Sequence, residues 1–341
     1  MKAALVGPES TAWRDALQSM PHDFYHLPGY VAVSARHDGG EPRALLVEEG
    51  ERRLLLPLIV HAIRSGGSDA CSPYGYPGPI TSEPQDPRFL REALLAGVRH
   101  LRDTGVVSLF IRTHPLLNPE PVDEIGLLVR HGNTVSVDLT LPLEVLWSQT
   151  RRNHRQQIRQ ALEAGYVALV DEAWQHFGDF KALYRQTMEA RGAHAYYFFD
   201  DAYFDALRAA LGERLHLALA TKDGTVTAAG LFVDTDGLVQ MHLTGHDERF
   251  AADQPMKLVF HHVRSWCAER GCRVLHLGGG RGGAEDSLFH FKAGFSPLRQ
   301  PFHTIRIVVR PDAYARLVAE RDPSLDPRDL EHRFPLYRNA A

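Results

Sequence analysis

The fold of this chain is decided by LHLALATKDG (Leu215–Gly224), which turns at Asp223-Gly224 into TVTAAGLFVDT (Thr225–Thr235). An Asp-Gly pair between two apolar runs is a strong signal for a β-hairpin. Three further segments follow in order: LVQMHLTG (Leu238–Gly245), a third strand; DQPMKLVFHHVRSWCAERG (Asp253–Gly271), a helix ending at glycine; and RVLHLGG (Arg273–Gly279), a closing strand. The predicted order is therefore strand, strand, strand, helix, strand.

The same order occurs once more, earlier in the chain. Its segments are ALLVEEG (Ala44–Gly50) and RRLLLPLIVHAI (Arg52–Ile63) for the hairpin, CSPYGYPGPI (Cys71–Ile80) for the third strand, FLREALLAGVRHLRDTG (Phe89–Gly105) for the helix and VVSLFIRT (Val106–Thr113) for the closing strand. A helix between two strands is the crossover that parallel neighbours require. Each half thus predicts a mixed, mostly antiparallel sheet flanked by helices, and the fold class is α/β with two tandem domains of one plan.

The boundary between the halves is predicted near residues 135–142, within NTVSVDLTLP (Asn133–Pro142), a strand whose final proline opens a helix. We assign residues 1–137 to the first domain and 138–341 to the second, with the active cleft in or near the second. The remaining predicted elements are helices at Thr11–Ser19, Leu143–Gly165, Trp174–Arg191 and Asp200–Gly212, a short segment Ser287–Phe295, a strand His303–Pro311, a helix from Asp312 and an extended tail.

Composition excludes several classes of protein. The chain has 341 residues, 44% hydrophobic and 23% charged, with a formal net charge of -4, so no global basic field recruits nucleic acid. Its three cysteines, Cys71, Cys267 and Cys272, lack the spacing of a disulfide framework or a zinc motif. No apolar run resembles a signal peptide or a membrane span. We expect a cytoplasmic protein without an integral membrane segment and without DNA as a partner.

Three motifs carry a resemblance to a known family: SPYGYPGP (Ser72–Pro79), TRRNHRQQIRQALEAGYVALV (Thr150–Val170) and LFHFKAGF (Leu288–Phe295). With the doubled order of elements, they resemble the Fem family, aminoacyl-tRNA-dependent transferases built from two GNAT-like acyltransferase domains. The resemblance covers about Trp13 to Val309. It implies that aminoacyl-tRNA is the donor substrate, that no cofactor is bound, and that the acceptor is an amine on a peptidoglycan precursor or a peptide-like small metabolite.

One departure from the wider GNAT fold concerns the donor. Members that use acetyl-CoA hold its pyrophosphate on a glycine loop at the start of the crossover helix, where backbone N–H groups bind the anion. The matching positions here read FAADQPMK (Phe250–Lys257) and contain no glycine. This favours a donor other than acetyl-CoA.

The resemblance implies that Lys292 is the central catalytic residue and that Phe291 shapes the pocket or stacks in it. An aminoacyl ester needs stabilisation of its tetrahedral oxyanion, which a fixed cation in a shielded site supplies. Lysine is a poor base unless burial lowers its pKa, so we assign Lys292 charge stabilisation. Without the resemblance, Phe291 would be read as a core residue and Lys292 as a solvated one.

Further candidate substrate-binding residues lie in other segments of the sequence. Arg151, Arg155 and Arg159 have the spacing of one helical stripe, with Arg152 beside it; the stripe suits phosphate binding or, alternatively, a solvated face paired with Glu163. Tyr74 and Tyr76 in the proline-rich loop line a cleft or merely end a strand. In GGGRGG (Gly278–Gly283), Arg281 could approach substrate, with Glu285 or Asp286 as proton acceptors. His242 is a further substrate-binding candidate. Its spacing from His246, in a strand followed by a loop, does not predict a metal site.

Two other functions remain open from the residues alone. One is an N-acyltransferase that uses acyl-CoA or a carrier-bound thioester in an atypical pocket. The other is a non-catalytic scaffold that binds a peptide or a protein partner.

Overall fold

The computed structural model describes residues 1–118 and 124–338. Contacts divide the chain into unit 1, which is Met1–His131 together with the chain from Pro301, and unit 2, which is Gly132–Gln300. Within the described ranges, no helix combines the length and apolarity needed to cross a membrane.

The helices and strands are, in chain order: β1 Lys2–Val6, α1 Thr11–Gln18, α2 Pro28–Asp38, β2 Glu41–Glu49, β3 Arg52–Ala62, β4 Ser68–Cys71, β5 Ile80–Thr81, α3 Pro87–Asp103, β6 Val106–Arg112, β7 Leu127–Asp138, α4 Leu143–Gln149, α5 Arg152–Glu163, β8 Val167–Val170, α6 Phe177–Ala190, α7 Asp201–Leu211, β9 Leu215–Lys222, β10 Thr225–Thr235, β11 Leu238–His246, α8 Pro255–Glu269, β12 Val274–Gly278, α9 Ser287–Lys292, β13 Arg299–Val308 and α10 Pro311–Arg321. Short 3-10 helices cover Phe24–His26, Ala195–Tyr197, Gly212–Arg214, Glu248–Asp253 and Arg281–Gly283.

The sheet of unit 2 runs in the order β7-β12-β11-β10-β9-β8. Strands β9 and β10 form the predicted antiparallel hairpin, and Asp223 and Gly224 at its turn have φ of 48° and 76°. Two successive residues of positive φ match the right-handed twist of the flanking strands. The helix α8 then crosses over, so that β11 and β12 are parallel. The predicted order of elements is confirmed in this unit.

Unit 1 repeats the plan in the order β1-β2-β3-β4-β6-β13. The hairpin β2-β3 is antiparallel, and α3 connects β4 to the parallel strand β6. Fully buried aliphatic side chains from three of these strands, Leu45, Leu56 and Ile111, pack in its core. Each unit is therefore α/β, with mixed, mostly antiparallel strand pairing flanked by helices.

The third strand of the first half is shorter than predicted. The prediction placed it at Cys71–Ile80, whereas β4 ends at Cys71 and β5 starts at Ile80. The intervening loop contains three prolines, which lack the N–H that a ladder needs, and Gly75 at φ 100°. It is a connection between two strands.

The predicted helix Leu143–Gly165 is also wrong as one element, because the chain is extended at Thr150 and Arg151, with ψ of 131° and 141°. Two guanidinium groups stabilise the end of α4 at this break. Arg155 donates to the carbonyls of Ser148 and Thr150 at 2.7 and 2.8 Å, and Arg264 donates to Leu146 O at 3.0 Å. They satisfy carbonyls that a helix leaves without partners at its C-terminus.

The compact units differ from the predicted domains 1–137 and 138–341. Strand β13 pairs antiparallel with β6, from Thr304 opposite Arg112 to Val308 opposite Ser108. This pairing returns the chain from Pro301 to unit 1, which sequence patterns local to each half do not reveal.

The C-terminal tail after α10 is anchored on unit 1. Arg338 binds both carboxylate oxygens of Asp69, at 2.5 and 2.9 Å, and the Tyr337 hydroxyl lies 2.7 Å from Ser108 Oγ. The Asp69 side chain is only 6% exposed. The tail thus supplies the main counter-charge to a buried carboxylate.

The Arg338→Ala substitution is expected to lower the free energy of unfolding by about 2 kcal/mol, because it leaves the buried Asp69 carboxylate poorly paired. Urea denaturation measures the change. As a matched control, Arg328→Ala removes an arginine that is 88% exposed and paired with Asp326, and it should leave stability unchanged. Equal effects of the two substitutions would contradict an anchoring role for the tail.

Candidate functional site

The parallel strands β11 and β12 are paired over only three residues. Pairing covers Leu238–Gln240 opposite Val274–His276, whereas β11 continues to His246. Against β10, Leu231 pairs with Leu243 and Phe232 with Met241, so His242 is the extra residue of a β-bulge. Bulges interrupt ladders beside functional sites, and open α/β sheets bind ligands at the carboxyl ends of their strands. We therefore take these two strand ends as the candidate site.

Buried polar side chains lie at this point of the sheet. His276 Nδ1 lies 2.7 Å from Gln240 Oε1. His242 is also buried, and burial lowers its pKa to about 3, so its ring is neutral near pH 7. His242 was a sequence candidate, whereas Gln240 and His276 were missed. The duplicated order of elements implies that β11 and β12 are parallel neighbours. That pairing places Gln240 opposite His276 and is the sequence signal that identifies both residues.

Lys292 lies at the end of α9 and points back to the end of β12. Its Nζ donates to Gly279 O at 2.7 Å, and the side chain is 5% exposed. Burial lowers the pKa of Lys292 to about 7, although the Asp286 carboxylate acts in the opposite direction. An amine with such a pKa is present in both protonation states near neutral pH. Lysine becomes a useful base when burial brings its pKa near neutral pH, and Lys292 meets this condition.

Asp286 fixes the turn that leads into α9. Its carboxylate accepts hydrogen bonds from the N–H of Phe289 at 3.0 Å and from Arg281 Nε at 3.0 Å. Burial disfavours its charge, yet these hydrogen bonds hold the pKa of Asp286 below its ordinary value. Asp286 is therefore a poor proton acceptor. Glu285 is exposed and accepts from Asn133 Nδ2 at 2.9 Å.

Phe291 belongs largely to the core of unit 2. Its ring lies 5.3 Å from that of Phe260, 5.7 Å from Phe295 and 5.8 Å from His154. His154 Nε2 also lies 2.9 Å from Phe291 O. These contacts favour a packing role that fixes α9, and with it Lys292.

The predicted arginine stripe is divided among different tasks. Arg151 precedes α5 as its N-cap residue, Arg155 holds the end of α4, and the Arg159 guanidinium lies 5.4 Å from the Trp147 ring centre. Arg152 is exposed in the first turn of α5. Because α5 begins after Arg151, the stripe is not one continuous helical face.

Tyr74 and Tyr76 belong to unit 1. Tyr74 O accepts a hydrogen bond from the Tyr30 hydroxyl at 2.8 Å, and the Tyr76 ring packs edge-on against Phe302 at 5.2 Å. Gly75 between them lies so close to the Tyr25 ring that an added Cβ would sit 2.1 Å from it. The loop is rigidly packed, and contact of its hydroxyls with an acceptor stays a prediction.

The segment that would carry a coenzyme A loop is folded on itself. The N–H of Arg249 donates to Asp247 Oδ1 at 2.9 Å, that of Phe250 to Asp247 O at 3.0 Å and that of Gln254 to Ala251 O at 3.2 Å. A 3-10 helix and the left-handed Gln254, at φ 54°, replace the glycine turn. Three amides that a pyrophosphate could use are thus already bonded.

Comparisons with known proteins agree with this architecture. Residues 148–292 match the profile of the acetyltransferase (GNAT) domain. No curated protein matches the sequence. Among solved structures, FemX is 13% identical, with 89% of this chain and 97% of that chain covered and a TM-score of 0.66.

Two further solved structures are also similar to this chain. One is the C-terminal domain of a putative lysylphosphatidylglycerol synthetase from Agrobacterium fabrum. It is 16% identical, with 86% of this chain and 90% of that chain covered and a TM-score of 0.56. L-PGS from Bacillus licheniformis is 14% identical, with 89% and 93% covered and a TM-score of 0.55. At these identities the similarity is one of fold, and it extends over nearly the whole chain. The fold is therefore similar to that of FemX over nearly the whole chain, and residues 148–292 within it match the GNAT domain profile.

Proposed function

We propose that the protein is an acyltransferase that forms an amide by moving an aminoacyl group from aminoacyl-tRNA to an amine. The observation that carries this proposal is the buried Lys292, whose pKa is lowered to about 7 where β12 ends. The Fem-like fold and the GNAT profile support acyl transfer as the reaction class.

The proposed reaction needs one proton to be moved. The nitrogen of a neutral acceptor amine attacks the ester carbonyl carbon, and the tetrahedral intermediate collapses by breaking the bond to the ribose oxygen. The attacking nitrogen loses a proton and the ribose oxygen gains one. Neutral Lys292 accepts the first, and the resulting ammonium stabilises the oxyanion and donates the second. No net proton is consumed by the enzyme.

Two observations favour an aminoacyl ester over coenzyme A as the donor. Four amides of the segment that would carry a pyrophosphate loop, those of Arg249, Phe250, Gln254 and Lys257, are bonded within residues 247–257. In addition, one of the structural neighbours is by name a putative lysylphosphatidylglycerol synthetase, which denotes an aminoacyl product. The acceptor we propose is an amine on a cell-wall precursor or on a peptide-like small molecule.

The test is incubation of the protein with total charged tRNA and candidate amines, followed by mass measurement of the products. We expect an amide whose mass increases by one aminoacyl residue and whose formation is abolished by RNase. Formation that persists after RNase treatment would exclude tRNA as the donor.

The second candidate, an acyl-CoA-dependent N-acyltransferase, is favoured by the match of residues 148–292 to the acetyltransferase profile. Acetyl-CoA added in place of charged tRNA tests it directly. Acetylated amine in that reaction, and none with charged tRNA, would replace the first proposal by the second.

A further inference from the structure

Lys257 is a buried cation to which sequence reasoning gave no role. It lies in the first turn of α8 and is 5% exposed, and its ammonium donates to Gln157 Oε1. In the described part of the chain, it forms no ion pair with a carboxylate. An ammonium has three donors and is costly to bury without a counter-charge. Lys257 therefore has donors and a charge left for a ligand.

Arg151 brings a second cation to the same place. Its backbone N–H donates to Gly294 O at 2.7 Å, which fixes the residue at the start of α5. Its guanidinium is exposed and makes neither a hydrogen bond nor an ion pair with any of the residues 1–118 and 124–338. After burial, which is the larger cause, the charge of Arg151 is what lowers the pKa of Lys257. Both residues also contact the C-terminal end of α9, Arg151 through the carbonyl of Gly294 and Lys257 through the ring of Phe291.

These cations lie next to the helix that carries Lys292. Lys257 Nζ is 5.9 Å from the ring centre of Phe291, the residue before Lys292. The ring of His154 packs against Phe291 and Phe295, and its low pKa, about 4 mainly through burial, keeps it neutral. A negative group here would meet two positive charges and a neutral ring.

We propose that Arg151 and Lys257 form a phosphate-binding site beside α9 that holds a phosphate group of the donor substrate. A guanidinium binds phosphate with two parallel N–H groups and an ammonium adds a point charge, so the pair suits a tetrahedral anion. The exposed Arg151 and the buried Lys257 would hold the phosphate with one side against the protein. The identity of the donor rests on the proposed function, whereas the binding of phosphate does not.

The first test uses inorganic pyrophosphate, titrated into the full chain by calorimetry. Both Lys257→Met and Arg151→Gln are expected to weaken binding at least tenfold. The control Arg214→Gln removes an exposed cation of unit 2 that precedes β9, and it should leave the affinity unchanged. Because Lys257→Met removes a buried charge and keeps the stem, we expect its melting temperature without ligand to equal or exceed that of the unaltered protein.

The second test identifies the source of the phosphate, with a short RNA ending in CCA and coenzyme A as separate probes. Tenfold weaker RNA binding in both variants, with a shallower salt dependence, supports the site and a tRNA donor. Weaker binding of coenzyme A alone supports the site and contradicts the tRNA donor. Unchanged affinity of Arg151→Gln for all three probes overturns the site, whatever the folding of Lys257→Met.

Discussion

Lys292→Arg and Lys292→Met are both expected to lower kcat for amide formation roughly a thousandfold, the range of a positioned proton-transfer group. Arginine keeps the positive charge but does not deprotonate in proteins, so it cannot accept the proton of the attacking amine. Methionine removes charge and base together. If Lys292 moves the proton, the two substitutions have nearly equal effects.

Single-turnover kinetics with a saturating donor measures this effect on the chemical step. Lys2→Arg, at an exposed position in β1, is the matched control and should be neutral. Retention of activity within tenfold by Lys292→Arg would contradict proton transfer and assign Lys292 the fixed charge that the sequence predicts. In the unaltered enzyme, the rate should rise with pH through about 7, because the neutral form of Lys292 is the active one.

The second large effect is on stability, where Lys292→Met should stabilise the free protein at pH 6.5 by about 3 kcal/mol. The pKa of Lys292 falls from 10.5 to about 7 on folding, which corresponds to at most about 5 kcal/mol. Loss of the hydrogen bond to Gly279 O offsets part of that gain. Between pH 7 and 10.5 the unfolded chain binds a proton that the folded chain does not, so the unaltered protein gains stability as pH rises.

Guanidinium denaturation of both proteins from pH 6 to 10.5 measures this difference. The advantage of Lys292→Met should shrink above pH 7 and reverse near pH 10.5. Lys2→Met, at an exposed position in β1, is the control and should leave stability unchanged. A Lys292→Met variant that is less stable at pH 6.5, with no change across the range, would contradict the low pKa.

The sequence predicts what depends on local pattern. The Asp223-Gly224 turn, the apolar strands around it and the helix that ends before Gly271 identify the repeated order without any knowledge of tertiary contacts. Lys292 was found through the LFHFKAGF motif. The sequence does not predict the lowered pKa of Lys292, because that pKa depends on burial, which only the fold produces.

What the sequence does not predict depends on contacts distant along the chain. Arg155 has the spacing of a helical stripe, yet it binds the carbonyls of α4 because the chain turns at Thr150. Lys257 is an ordinary helix residue until α5 and α9 pack around it. Likewise, β13 pairs with a strand nearly 200 residues earlier, as in Thr304 with Arg112.

The return of β13 makes unit 2 an insertion within the chain of unit 1. Its first and last residues are Gly132 and Gln300, and Thr134 Oγ1 donates to Gln300 O at 3.2 Å. The two ends of the inserted segment are thus neighbours, the arrangement in which a host fold accepts a guest domain with little loss of loop entropy. Residues 132–300 are accordingly the segment to excise, or to insert into another protein, as one domain.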